Sequence, residues 1–267
     1  MGELVFVGLG LYDERDISLR GLETIREANH VFVELYTSLM AGFSVERLEK
    51  LAGKRVSVVS RRVLEEENGK PILQKAKEGK TVLLVPGDPL IATTHIDLRI
   101  RAEKLGIKTH LVHGASIISA VVGLTGLQNY KFGRSITIPF TDNGKASLTP
   151  YYVVMENKSR GLHTLVFLDI KAEEKRYMTV KEGLETLLGV EALEKKGVIN
   201  SKTLAVGVSR AGSENPVVKA DYIKKLVDYD FGFPPHTLIF PGKLHFMEAE
   251  ALITLAGAPQ DVREMAK

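Results

Sequence analysis

The first 114 residues alternate short apolar segments with stretches in which apolar residues recur at helical spacing. The apolar segments cover residues 4–10, 30–34, 55–60, 81–89 and 108–114. Short runs bounded by turn residues are typical of buried strands, and strands separated by helices form βαβ units. Because such units place their strands side by side in parallel, this half predicts an α/β fold with a parallel sheet.

Two helix starts are indicated by capping residues. Ser18 precedes apolar residues at helical spacing and is predicted to cap a helix. Thr93 or Thr94 is predicted to cap a second helix, which stops at Gly106.

The second half of the chain has a different pattern. Strand-like segments cover residues 135–140, 163–170, 203–210 and 236–242, and the helical patterns between them are fewer and less regular. The last helix, through Glu248 and Leu255, is predicted to end at Gly257. We therefore expect two domains, residues 1–113 and 114–267.

Composition excludes several kinds of chemistry. The chain has no cysteine, so disulfides, thiolate nucleophiles and iron–sulfur clusters are excluded, and its histidines show no metal-ligand spacing. The net charge of +3 does not indicate a nucleic-acid or membrane partner. The N-terminal segment is not a signal peptide, and the longest uncharged stretch, residues 111–130, does not resemble a membrane span. We expect a cytoplasmic protein.

Gly8 and Gly10 follow the first predicted strand, where glycine lets the backbone approach a ligand closely. One interpretation is a dinucleotide site in which Glu34, at the end of the second strand, holds a ribose. Asp13 occupies the place of the third glycine and puts an acid near the pyrophosphate, which disfavours this interpretation. A tight turn without a ligand explains the same glycines.

Two further turns follow predicted strands. Asp88 lies in the sequence PGDP after the fourth strand, and ligands of open parallel sheets bind beyond the carboxyl ends of the strands. This carboxylate either binds a ribose or amino group or caps the following helix. Ser116 lies in a G-x-S turn, but Ile118 replaces the second glycine of a hydrolase nucleophile elbow, which leaves a helix cap or a ligand contact.

Seven strings spread over the chain carry a family resemblance: GLGLYDERDIS, LYTSLMAG, PGDPLIATTH, GLTGLQNYKFG, GLHTLVFLDIKAEEKRYMT, SRAGSENP and PPHTLIFPGKLHFMEAEAL. With these strings the chain resembles the tetrapyrrole methylase superfamily and, within it, the archaeal diphthine synthases, from residue 4 to about residue 260. The resemblance implies two α/β domains, an N-terminal parallel sheet with helices on both faces and a C-terminal mixed sheet, with the cofactor cleft between them.

The resemblance also implies an activity. Enzymes of this family use S-adenosylmethionine, giving S-adenosylhomocysteine, to methylate the amino group of the 3-amino-3-carboxypropyl-histidine of translation elongation factor 2. The archaeal type makes diphthine, the trimethylated intermediate of diphthamide biosynthesis. The family is homodimeric, its protein partner is elongation factor 2, and neither a metal nor a direct nucleic-acid contact is implied.

The cofactor residues that the aligned strings imply lie in both predicted domains. They are Leu11, Asp88, Ile91, Ser116, Ile117, Leu168, Ala211 and His236. Many such contacts in this family are made through backbone groups. From the residues alone, a strand-start residue without chemistry is the better interpretation of His236.

Methyl transfer from a sulfonium to an amine needs alignment of the two reactants and a neutral amine. No general base can be assigned from the sequence. Because the product is permanently cationic, we expect an acidic or aromatic lining, for which Asp169, Glu173 and Tyr177 are candidates. A solvated loop and helix start explain these three residues equally well.

Three alternative functions stay open at this point. The same fold could methylate a tetrapyrrole or corrinoid ring or ribosomal RNA, although the diphthine-specific strings disfavour this. A nicotinamide-dinucleotide oxidoreductase could use Gly8, Gly10 and Glu34, although the third glycine is missing. A binding module could retain the cofactor pocket without catalysis.

Overall fold

The structure, a computed structural model, describes residues 2–142 and 144–266. The chain forms two compact units. The first consists of Met1–Ile117 with Ala172–Glu174, and the second of Ile118–Lys171 with Lys175–Lys267. The domain boundary expected between residues 113 and 114 stays a prediction.

The first unit is built on one five-stranded sheet. Its strands are β1 (Glu3–Gly8), β2 (His30–Glu34), β3 (Ser57–Val59), β4 (Lys80–Val85) and β5 (Lys108–Val112), in the order β3-β2-β4-β1-β5. The connecting helices are α1 (Leu19–Glu27), α2 (Val45–Ala52), α3 (Lys70–Glu78) and α4 (Ile96–Lys104). All pairings among the described residues of this sheet are parallel, which confirms the predicted parallel sheet.

Alternate residues of β1 face opposite sides of this sheet, as the two-residue repeat of a strand requires. Val5 belongs to the same buried cluster as Ile25 of α1 and Leu48 of α2. Phe6 belongs to a second buried cluster, with Ile72 of α3. Helices therefore cover both faces, which is why the strand segments are apolar throughout.

Of the two predicted helix starts, one is confirmed and the other is wrong. Ser18 caps α1 as predicted, because its Oγ accepts the N–H of a first-turn residue at 3.1 Å. The prediction for Thr93 and Thr94 is wrong, since α4 begins only at Ile96. The Thr93 hydroxyl instead donates to the carbonyl of Pro89 at 2.9 Å, so it closes the turn before the helix.

The second unit contains a mixed sheet and a small hairpin. The sheet strands are β6 (Ile136–Ile138), β7 (Thr164–Leu168), β10 (Leu204–Ser209), β11 (Val217–Tyr222) and β12 (His236–Phe240), and the hairpin pairs β8 (Ile170–Lys171) with β9 (Arg176–Tyr177). The sheet order is β11-β10-β12-β7-β6, with β6 and β7 parallel and the other pairs antiparallel. The predicted mixed sheet is confirmed.

The helices of this half are more regular than the sequence predicts. They are α5 (Ile117–Thr125), which begins at the last residue of the first unit, α6 (Thr149–Ser159), α7 (Val180–Glu194), α8 (Ile223–Leu226) and α9 (Phe246–Ala256). Gly257 closes α9 with φ +61°, as predicted. In the part of the chain that the structure describes, no helix has the length and apolarity to cross a membrane.

Candidate functional site

The carboxyl ends of three neighbouring strands of the first sheet meet at a junction of glycines. Gly8 ends β1, Gly87 follows β4 and Gly114 follows β5. A Cβ atom on Gly8 would lie 2.5 Å from the carbonyl oxygen of Gly87 and 2.6 Å from the nitrogen of Gly114. No side chain fits at Gly8 or Gly114, whose Cβ atoms would overlap backbone atoms, whereas Gly87 has open space but a φ of +71°. The backbone of this chain therefore already favours glycine at all three positions.

The loop after β1 folds around the carboxylate of Asp16. Its Oδ2 accepts the backbone N–H of Leu11 at 3.0 Å and of Tyr12 at 2.7 Å. Gly10 begins this bend in the left-handed region, with φ +83°. Leu11 is half-buried, and because its N–H is already used, its carbonyl and side chain are the groups that a ligand can contact.

Asp13, in the same loop, holds a negative charge where a dinucleotide would place its pyrophosphate. The side chain is buried, and its Oδ2 lies 2.8 Å from the Arg15 Nη2. The hydrogen bond from Arg15 lowers the pKa of Asp13, against the opposing effect of burial. The carboxylate is therefore held ionised, which disfavours an anionic ligand beside it.

Glu34, the ribose-binding acid of the dinucleotide interpretation, is used within the fold. It is fully buried at the end of β2. Its Oε2 accepts the backbone N–H of Tyr36 at 3.0 Å and of Thr37 at 3.1 Å, and its Oε1 lies 3.2 Å from His95 Nε2. A carboxylate committed in this way does not present an oxygen to a ribose. Glu34 therefore does not support the dinucleotide interpretation.

Asp88 pairs with a histidine that the sequence analysis did not connect to it. Asp88 Oδ2 lies 2.7 Å from His113 Nδ1, across the carboxyl ends of β4 and β5. The Asp88 side chain is 13% exposed and that of His113 74% exposed. Ile91, which is exposed, donates its N–H to the Asp88 carbonyl at 3.2 Å. A partly buried carboxylate and an accessible imidazole thus lie together at the strand edge.

The turn after β5 leads directly into helix α5. Ser116 is half-buried and immediately precedes Ile117, the first helical residue. The loops after β1, β4 and β5 thus bring five of the expected cofactor residues to one edge of the first sheet. They are Leu11, Asp88, Ile91, Ser116 and Ile117. The predicted roles of Ser116, as a helix cap or a ligand contact, stay predictions.

The remaining expected residues share one edge of the second sheet. Leu168 ends β7, His236 begins β12, and Ala211 lies just beyond the end of β10. Because β12 is antiparallel to both neighbours, these three termini lie on the same side, with Ser209 directly opposite His236. Leu168 is buried in the core of this unit, so its backbone is the part that a ligand can reach.

Both ring nitrogens of His236 are used inside the second unit. Nδ1 accepts the N–H of Val180, the first residue of α7, at 3.2 Å, and Nε2 donates to the carbonyl of Gly232 at 3.1 Å. Burial lowers the pKa of His236. The neutral imidazole therefore fixes the start of β12 against α7, and any ligand contact falls to its backbone.

Arg210 is a residue whose role sequence reasoning missed. It adopts a left-handed conformation, with φ +49°, directly before Ala211. Its Nη1 donates to the carbonyls of Phe233 at 2.6 Å and Phe231 at 3.3 Å, and its N–H to the carbonyl of Pro235 at 3.0 Å. These bonds hold a conformation that costs an arginine about 1–2 kcal/mol and that turns the chain at Ala211. The SRAG string marks this position, but nothing in it indicates a positive φ.

Comparison with known proteins gives a consistent result. The family model of tetrapyrrole (corrin/porphyrin) methylases matches residues 3–226. A diphthine synthase of Methanosarcina acetivorans is 53% identical over 266 residues, which are 98% of each chain. One of Methanothermobacter thermautotrophicus is 49% identical over 261 residues, again 98% of each chain.

A solved diphthine synthase structure matches with a TM-score of 0.90 and 44% identity, over 98% of this chain and 99% of that one. This chain belongs to the diphthine synthases of the tetrapyrrole methylase family. It is therefore a methyltransferase, and the parallel sheet and the mixed sheet that the resemblance implied are confirmed.

The diphthine synthase string FLDIKAEEKRYMT forms β8, β9 and the residues around them. Asp169 accepts the backbone N–H of Phe140 at 2.8 Å and of Ile170 at 2.9 Å, so both of its oxygens hold the backbone. Tyr177 meets the ring of Phe233 edge-on, with centroids 6.5 Å apart, and Glu173 is exposed. Of the three candidates for a substrate lining, Asp169 is the one already committed to the fold.

The most deeply buried carboxylate of the second unit is also structural. Glu248 is fully buried and contacts His163 Nε2 at 2.9 Å and the Nζ of Lys131. Burial acts to raise its pKa, but the N–H of His245, the ammonium of Lys131 and other donors lower it to about 2. Across residues 2–142 and 144–266, no group of three or more acidic or histidine side chains is arranged to hold a metal ion.

Proposed function

We propose that this chain transfers methyl groups from S-adenosylmethionine to the amino nitrogen of the 3-amino-3-carboxypropyl-histidine of translation elongation factor 2. Three successive transfers give the trimethylammonium of diphthine, an intermediate of diphthamide biosynthesis. The observation that carries the proposal is identity of about 50% to diphthine synthases over nearly the whole of both chains.

The residues at the edge of the first sheet fit the cofactor. S-adenosylmethionine carries donors, its ribose hydroxyls and its ammonium, that suit a carboxylate. Asp88 offers one in a largely buried position, where His113 uses Oδ2 and Oδ1 is the atom that we assign to the cofactor. Asp88 lies beyond the carboxyl end of β4, the place where open parallel sheets bind ligands.

The other cofactor contacts are assigned on the same basis. We propose Leu11, Ile91, Ser116 and Ile117 from the first unit, and Leu168, Ala211 and His236 from the second. In the second unit the buried side chains of Leu168 and His236 favour contacts through backbone groups. The structure therefore supports a division in which Asp88 supplies a charged side chain and the second-unit residues supply main-chain groups.

The bound cofactor supplies a methyl group already activated on its sulfonium, so the protein has three tasks. It must align the amine with that methyl, and alignment contributes up to roughly 7–11 kcal/mol in well-oriented systems. It must shield the reacting atoms from bulk water, because desolvation disfavours the charged ammonium form of the amine. It must also accept the amine in its neutral form, since an aliphatic amine with a pKa of about 10 is protonated near pH 7.

The assembly, location and partners of the family are also proposed for this chain. We expect a homodimer in the cytoplasm, with elongation factor 2 as the protein partner and without a direct nucleic-acid contact. Light scattering coupled to gel filtration tests the dimer, because a single species at 29.4 kDa would contradict it. Cell fractionation with an antibody to the chain tests the location.

The deciding experiment is a methylation assay. The purified chain is mixed with labelled S-adenosylmethionine and elongation factor 2 that carries the 3-amino-3-carboxypropyl-histidine, and the peptide mass is followed. We expect additions of one, two and three methyl groups. Elongation factor 2 with an unmodified histidine is the control and should stay unlabelled. Absence of transfer to the modified factor would overturn the proposal.

The same assay separates the alternatives. Ribosomal RNA and a corrinoid precursor are offered as substrates in parallel, and transfer to either with none to the factor would favour that methyltransferase. Titration with NADH tests the oxidoreductase, for which the buried Glu34 gives no support. Tight binding of S-adenosylhomocysteine without any transfer would indicate the binding module.

A further inference from the structure

The pair formed by Asp88 and His113 has a geometry suited to moving protons. The carboxylate accepts a hydrogen bond from Nδ1 at 2.7 Å, and this bond fixes both the orientation and the tautomer of the ring. With its proton on Nδ1, the neutral imidazole presents an unprotonated Nε2. The side chain is 74% exposed, so that nitrogen is accessible from outside.

The proposed reaction needs such a group. The substrate amine is protonated near neutral pH and cannot attack until it loses a proton. After each of the first two transfers the methylated nitrogen again carries a proton that must leave. Conversion of one ammonium into a trimethylammonium therefore releases three protons, and alignment alone removes none of them.

We propose that His113 is the proton acceptor for the substrate amine and that Asp88 positions it. The proposal rests on the proposed function, because it places Asp88 between the cofactor and this imidazole. In the proposed arrangement Asp88 Oδ1 contacts the cofactor, while Oδ2 holds His113. The imidazole is then separated from the cofactor by this one carboxylate. No general base is evident from the sequence because the two residues are 25 positions apart.

Each cycle balances in atoms and charge. Nε2 of His113 takes a proton from the ammonium, directly or through one water, and the freed electron pair of the amine attacks the methyl carbon. The carbon–sulfur bond breaks, and its electron pair stays on the sulfur of S-adenosylhomocysteine. The imidazolium then loses its proton to solvent, for which its exposure is suited. The trimethylated nitrogen has no proton left, so the sequence stops there.

The charged surroundings of His113 favour this role. Asp88, from the loop after β4, lies 2.7 Å from the ring and orients it. The preceding histidine of β5, His110, lies 3.5 Å from Glu3 and is engaged with that carboxylate. The two histidines of this segment therefore differ in partner, and His110 offers a matched control.

The test compares His113→Asn with His110→Asn in single-turnover assays of the first methyl transfer. The asparagine amide can still donate to Asp88 but has no basic nitrogen. At pH 7 we expect the rate constant of His113→Asn to fall about 100-fold, the usual contribution of a general base. Binding of S-adenosylhomocysteine should stay unchanged. His110→Asn should keep the wild-type rate.

The pH profile separates proton transfer from a structural role. Near pH 10 a growing fraction of the amine is neutral without help, so the deficit of His113→Asn should shrink as the pH rises. A wild-type rate in this variant, or a deficit independent of pH, would overturn the inference while leaving the proposed function intact. A wild-type enzyme that leaves the modified factor unmethylated would overturn both.

Discussion

The two sheets present their edges to a ligand in opposite ways. At the carboxyl edge of the parallel sheet, a carboxylate and an imidazole lie outside the core, with Asp88 holding an exposed His113. At the corresponding edge of the mixed sheet, Leu168 belongs to the core and His236 has both ring nitrogens bonded within its unit. At the first edge a ligand can therefore contact reactive side chains, whereas at the second edge it can contact mainly backbone groups.

The contrast follows from topology. In a parallel sheet, each strand continues from its carboxyl end into a loop of its own. Polar side chains of these loops can lie close together there without taking part in strand pairing. An antiparallel edge alternates strand starts with strand ends, and its side chains are needed to hold turns and helix starts. Substitutions at the two edges should accordingly affect different observables.

The largest effect is expected at Glu248, the strongest case of a polar group committed to the fold of the second unit. Glu248→Gln leaves the buried His163 and the partly exposed Lys131 without their carboxylate, and we expect a loss of about 3–5 kcal/mol in the free energy of unfolding. Urea unfolding measures it. Glu250→Gln, on the same helix but half-exposed against Arg263, should cost at most about 1 kcal/mol. Similar losses of stability in both variants would mean that the buried Glu248 is no more important to the fold than the half-exposed Glu250.

The glycine junction of the first unit should come next. Gly8→Ala places a methyl group 2.5 Å from the Gly87 carbonyl, and we expect a loss of about 3 kcal/mol in the free energy of unfolding. Gly189→Ala is the control, because it lies within α7 and no atom is within 4 Å of the new methyl. That variant should gain about 0.5–1 kcal/mol. Tolerance of alanine at Gly8 would show that the junction is looser than its distances indicate.

Cofactor binding gives a direct comparison of the two edges. We expect Asp88→Asn to weaken the binding of S-adenosylhomocysteine at least about tenfold, because a charged hydrogen bond contributes roughly 1.5–3 kcal/mol. His236→Gln should leave the dissociation constant unchanged at a temperature where it is folded. Calorimetric titration measures both. Equal weakening in the two variants would mean that the imidazole of His236 contacts the cofactor.

The smallest effect is a dependence of stability on pH. Burial lowers the pKa of His236 in the folded chain below the value of about 6.5 in the unfolded chain. The unfolded chain then binds more protons, so the free energy of unfolding falls as the pH drops below about 6.5. His163, whose pKa burial also lowers, adds in the same direction. One histidine contributes at most about 1.4 kcal/mol per pH unit.

Unfolding at several pH values between 5 and 8 measures this slope. His236→Gln should reduce the slope without abolishing it, because His163 is retained. An unchanged slope would mean that His236 binds its proton equally well in the folded and the unfolded chain. Its assignment as a neutral, structural residue at the edge of the second sheet would then have to be revised.

Much of the fold was predictable because local patterns and the final structure agree. The five apolar runs of the first half are the five strands of the parallel sheet. Ser18 begins α1 and Gly257 ends α9, as their chemistry requires. Strand β11 was missed because it lies at a sheet edge, where half-buried residues give a weak apolar pattern. The start of α4 was misplaced because the hydroxyl of Thr93 closes a turn instead.

The positions of the site residues at the strand ends could be predicted, but their hydrogen-bond partners could not. The sequence places Asp88 and His113 at the carboxyl ends of two predicted strands of one parallel sheet, and this is the signal by which their pairing could have been found. It cannot show that β4 and β5 both flank β1, which brings the two loops together. Nor does it show that Glu34 is enclosed by Tyr36, Thr37 and His95, since enclosure is a property of the folded chain.

The junction of Gly8, Gly87 and Gly114 also bears on how such an enzyme could be re-engineered. Three loops leave the first sheet through a space that holds only main-chain atoms, so their paths are mutually dependent. A loop transplanted alone from a relative with another substrate would enter a junction shaped by the other two. Modular exchange at this edge should therefore succeed only when all three loops are moved as a set.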